Sequence, residues 1–88
     1  MEFQYIIKFE NSHGLQRVIG KANSIDKCWK IIFDFLKERH FESHYQRCHI
    51  REGVMWIDVG SHTEFFYVAR TDGDEISWYE MHGGMKNG

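Results

Sequence analysis

The sequence predicts an α+β fold, with one amphipathic helix on one face of an antiparallel sheet of five strands, a sixth being allowed, in the order ββαβββ(β). Three observations carry this. With 88 residues the chain has room for a single hydrophobic core. One stretch, from Ile25 to about Arg39, has helical periodicity. The apolar runs on either side alternate at strand period, and their connections are too short for a parallel crossover.

The first strand spans Phe3 to Phe9, with Phe3, Tyr5, Ile7 and Phe9 on one side and Gln4, Ile6, Lys8 and Glu10 on the other. Asn11-Ser12-His13-Gly14 is a turn cluster, and the run from Leu15 to Lys21 completes a hairpin. Asn23 and Ser24 are both good N-caps, and Asp26 complements the positive end of the helix dipole. Cys28, Trp29, Ile32, Phe35 and Leu36 then form one apolar stripe. Lys37, Arg39 and His40 suit its C-terminal end. After a polar linker, Phe41 to His44, strands are expected over Tyr45–Arg51, Val54–Val59 and Thr63–Arg70, punctuated by Glu52-Gly53 and Gly60-Ser61. Thr71-Asp72-Gly73-Asp74 marks another turn. Glu75 to Met81 reads as a short edge strand in preference to a helical turn. Residues 1–82 form the expected domain and 83–88 a flexible tail with little to bury.

Composition excludes several classes. Apolar content of 42% and charged content of 27% are those of a globular chain, not a disordered or fibrous one. Net charge is -2, so there is no overall attraction to nucleic acid or anionic lipid. The charge is uneven: residues 1–51 carry nine basic and six acidic side chains, residues 52–88 two and seven. The opening Met1-Glu2-Phe3-Gln4 has no signal-peptide pattern, and no apolar run reaches membrane-spanning length. A cytoplasmic location is expected, where Cys28 and Cys48 stay reduced.

Catalytic and metal readings find little support. Asp58, Ser61 and His62 have the residue types of a hydrolase triad but crowd one tight turn, where Asp58 and Ser61 are expected to bond local backbone. His40, His44 and Cys48 recur every four residues, yet the helix is expected to end before them, so no shared metal face results. Both cysteines read as packing thiols. No catalytic residue, metal or cofactor is expected, and the chain is read as a non-enzyme.

The apolar inventory leaves a surplus. Five strands span roughly 24 Å while a helix covers about 10 Å. Tyr5-Ile6-Ile7, Met55-Trp56-Ile57 and Phe65-Phe66-Tyr67-Val68 must project to both faces, and there are 14 aromatics to place. A second surface covered by another copy of the chain, or by a partner protein, is therefore expected, the alternative being a sheet curled into a half-barrel that buries both sets itself. Its expected contacts are Tyr45, Arg47, Trp56, Phe65, Phe66, Tyr67 and Trp78, since aromatics and arginine make good interface anchors. The alternative is a single-stranded nucleic-acid binder, using sheet aromatics with Arg47, His49 and Arg51 along one side of a strand. Net charge and the absence of an RNP-type motif count against it.

The stretch Trp56-Ile57-Asp58-Val59-Gly60-Ser61-His62-Thr63-Glu64-Phe65-Phe66, with Lys27-Cys28-Trp29-Lys30 and Phe35-Leu36-Lys37-Glu38, resembles short proteins encoded by phages and prophages of Gram-positive bacteria. The resemblance implies a genomic setting and carries no mechanism or catalytic residue. Together with the surplus surface it implies a phage-type accessory protein that binds itself or a host or phage protein.

Overall fold

Tyr5, Ile7 and Phe9 alternate with half-exposed neighbours along the first strand, and the buried set is the side that meets the helix. The computed structural model describes residues 3–43 and 45–82; His44 and the expected tail at 83–88 lie outside them. Five strands, β1 (Tyr5–Glu10), β2 (Gln16–Ala22), β3 (Arg47–Arg51), β4 (Val54–Asp58) and β5 (Phe65–Arg70), form one sheet in the order β2-β1-β5-β4-β3. Every pairing is antiparallel. The three short connections join neighbours, as their lengths require. The β1–β5 pairing at the centre links residues far apart in sequence.

The helix α1 (Ile25–Glu38) starts where Ser24 Oγ accepts the Lys27 N–H at 3.2 Å. Ile25, Cys28, Ile32 and Leu36 are its buried stripe, each such burial contributing about 1.5–3 kcal/mol. It stops in a Schellman turn: His40 takes φ 58°, its N–H reaching Lys37 O, and Phe41 N–H reaches Leu36 O. The stripe packs over β1 and β2, and Phe35 meets the rings of Phe9 and Phe66. Gly20 makes the close approach possible, because a Cβ there would lie 3.2 Å from Ile31 Cγ2. A bulge on β2 gives it one residue more than β1 between the Ile7–Gly20 and Lys8–Val18 pairs.

The segment after β5 is not the edge strand expected over Glu75–Met81. It is an extended stretch ending in one helical turn, α2 (Trp78–Met81), closed by a capping box between Ser77 and Glu80. The periodicity signal failed because only Ile76 and Met81 face inward, five positions apart. These two side chains join the core cluster, and α2 contacts β3, so the segment shields part of the sheet that α1 is too narrow to reach. Arg70 fastens it, forming two hydrogen bonds with Asp72 (2.6 and 3.0 Å) and reaching Glu80 at 3.2 Å. The Arg70 guanidinium also lies 3.6 Å above the Phe3 ring.

Candidate protein-binding face

On the sheet face opposite α1, one row of side chains crosses all five strands: Val18, Lys8, Tyr67, Trp56 and His49. Strand alternation adds Ile6 and Glu10 from β1, Phe65 and Ala69 from β5, and Arg47 and Arg51 from β3. The aromatic part is already packed. Trp56 stacks on Phe65 with ring centroids 4.7 Å apart, His49 lies 4.7 Å from Trp56, and the Arg51 guanidinium sits 5.1 Å over the indole. Tyr67 donates its hydroxyl to Glu10 at 3.0 Å. Burial raises the Tyr67 phenol above its ordinary value, with the Glu10 carboxylate adding to the effect.

Beside this cluster lies a shallow basin of about 290 Å³. Ile6, Val54 and Ala69 give it an apolar floor, Trp56 and Tyr67 a wall, and Lys8, Gln16, Arg51 and Glu52 a polar rim. Glu52 holds φ 55° in the two-residue turn before Gly53, a left-handed conformation that asparagine or glycine adopts more readily. Such strain is found more often beside binding sites than elsewhere.

Of the seven contacts expected from sequence, the structure brings Trp56, Phe65 and Tyr67 together, with Arg47 on the same face. Tyr45 lies just before β3, exposed, with the Arg47 guanidinium 5.1 Å over its ring. Phe66 is a correction. It is fully buried under Phe9 and Phe35, because β5 alternates and its even-numbered positions point to α1. Trp78 is a second correction, for it lies on α2 rather than on the sheet. It is 62% exposed, beside the equally exposed Tyr79. Arg47, His49 and Arg51 do line one side of β3. Lys8 and Ile6, missing from the expected contacts, were signalled by the alternation of β1 once its helix side is known.

The other chemistry-bearing residues have local duties. Asp58 Oδ1 accepts the Gly60 N–H at 2.9 Å, and its other oxygen lies 3.5 Å from Arg47. Ser61 Oγ accepts from the N–H groups of Thr63 and Glu64. His40 belongs to the turn that ends α1, whereas Cys48 is on β3, and among the described residues no three potential ligands converge for a metal. Cys28 and Cys48 are free thiols; burial pushes Cys28 up to about 12 and raises Cys48. No helix of the described residues is long and apolar enough to cross a membrane. The chain matches no protein-family model, no curated protein and no solved structure.

Proposed function

We propose that the protein is a non-enzymatic binding module whose working surface is the sheet face opposite α1, and that its partner is a protein. The observation that carries this is the prepacked cluster of Trp56, Phe65, Tyr67, His49 and Arg51 on a face that neither helix covers. Aromatics and arginine held rigid on a sheet lose little conformational entropy on contact, which is what makes interface anchors effective. The phage-type resemblance belongs to the same proposal: an accessory protein that acts by contact.

A photo-crosslinking amino acid placed at Gln16, on the rim of this face, and separately at Lys30, on the outer surface of α1, tests the reading in cells. Adducts from position 16 and not from position 30 support it. Equal labelling from both positions, or labelling from position 30 alone, sinks it.

A further inference from the structure

We infer that the open sheet face seats an acidic protein segment carrying an apolar side chain, rather than a second copy of this chain. The inference rests on the face being the working surface, and it names the occupant.

Two carboxylates of the face are engaged: Glu10 by the Tyr67 hydroxyl and the Gln16 amide, Asp58 by Arg47 and the Gly60 N–H. Lys8 and Arg51 have no ion pair with a carboxylate among the described residues. Both stand on the rim of the basin, one on β1 and the other on β3, with the apolar floor between them. Glu52 is the one carboxylate on that rim, and it stays exposed on the turn. A segment that lays an apolar side chain on Ile6, Val54 and Ala69 can direct flanking carboxylates to both cations.

Charge and ring packing on the face disfavour the two competitors. In a two-fold dimer built on this face the four cations of the two rims would have only the two Glu52 carboxylates to share, because Glu10 and Asp58 are already engaged. Single-stranded nucleic acid offers the right charge, but base stacking needs an open ring face. Here Trp56 is engaged by Phe65 on stacking and by Arg51 and His49 around it, and a base has to displace them.

The test is a two-dimensional NMR titration of the full chain with three probes: a short peptide of glutamates around one phenylalanine, its lysine counterpart, and oligothymidylate. A concentration series of the protein alone accompanies them. The glutamate peptide is expected to shift the Trp56 indole and Lys8 amide signals, more weakly as salt rises, and the lysine peptide to leave them in place. Lys8→Glu with Arg51→Glu should weaken binding by at least about tenfold. Lys8→Gln with Arg51→Gln serves if the reversal fails to fold. Tighter binding of oligothymidylate, or shifts of these signals with protein concentration, overturns the acidic partner while keeping the face as the working surface. No response to any probe also overturns the acidic partner, and shifts confined to Trp78 and Tyr79 overturn both readings.

Discussion

The Tyr5 hydroxyl donates to Glu80 Oε2 across 75 positions of sequence, joining the first strand to the final helical turn. The same carboxylate receives Arg70, and its other oxygen accepts the Ser77 N–H that completes the capping box. One side chain thus closes the helical turn, anchors it to β5 and satisfies a hydroxyl on a strand residue that is 5% exposed. Burial, followed by the Glu80 hydrogen bond, raises the Tyr5 phenol far above its ordinary value, so the hydroxyl keeps the proton that it donates to Glu80.

Glu80→Ala removes all three contacts and is expected to destabilise the protein by about 2–3 kcal/mol, against about 1 kcal/mol for Tyr5→Phe, which removes one hydrogen bond. Urea denaturation measures both. A double-mutant cycle should show the two losses to be less than additive, since they share a bond.

Acid should weaken the same junction. The Arg70 hydrogen bond lowers the Asp72 carboxyl. Partial burial pushes Glu80 upward, but hydrogen bonds from Tyr5 and Ser77 together with the Arg70 charge leave it lowered. For carboxylates depressed in the folded state, the stabilisation is complete above the unfolded value of about 4 and is lost as pH falls through the folded values. The urea midpoint of the native protein should therefore decline on acidification below about pH 4. In Arg70→Met the decline should be shallower; an identical slope in both proteins counts against the network.

Two of the turn positions with left-handed backbone, Gly53 and His40, should respond in opposite directions. Gly53 has φ 81°, and a Cβ there would lie 2.7 Å from Glu75 Cγ, so Gly53→Ala is expected to cost about 1–2 kcal/mol. It should also raise hydrogen exchange at Ile76, whose N–H donates to Gly53 O. His40→Gly relieves a non-glycine residue at φ 58° and should gain about 0.5–1 kcal/mol in the same denaturation assay.

Thiol chemistry should separate the cysteines. Cys28 is fully buried and its thiol is raised to about 12, so at neutral pH it should react with a disulfide reagent only as fast as the protein unfolds. Cys48 is partly exposed on β3 and should be labelled first. Mass spectrometry after timed labelling of native and urea-treated protein distinguishes the two.

Stability and binding should also divide along β5. Phe66→Ala opens the core beneath Phe9 and Phe35 and should cost about 3–5 kcal/mol. Phe65→Ala removes a ring stacked on the open face, and calorimetry should record less than half of that loss.

The strand runs and the helix were legible because each rests on local periodicity or local hydrogen bonding, and the cap was narrowed to Asn23 or Ser24. Ser24 needed only the Lys27 N–H, and the buried stripe of α1 is visible at helical spacing. The segment at 75–81 was not, since its conformation depends on the distant partners Tyr5 and Arg70. The same reason governs the open sheet face. Alternation sorted Trp56 and Tyr67 onto one side of their strands, but pairing β1 with β5 was needed to set Lys8 beside Tyr67 and to send Phe66 inward. The apolar surplus inferred from sequence is smaller in the structure, for Ile76 and Met81 reinforce the side of α1 and the rings opposite cover one another.

The strand β1 lies inside the finished sheet, flanked by β2 on one side and by β5 on the other. While the chain is being made, the N-terminal hairpin can close early, but Ile7 and Phe9 keep a bare hydrogen-bonding edge until Phe66 and Val68 have been synthesised. Non-local pairing of this kind slows folding in general, and an unpaired strand edge can template other strands until it is closed. The two halves of the sheet, β2-β1 and β4-β3, are joined only through β5.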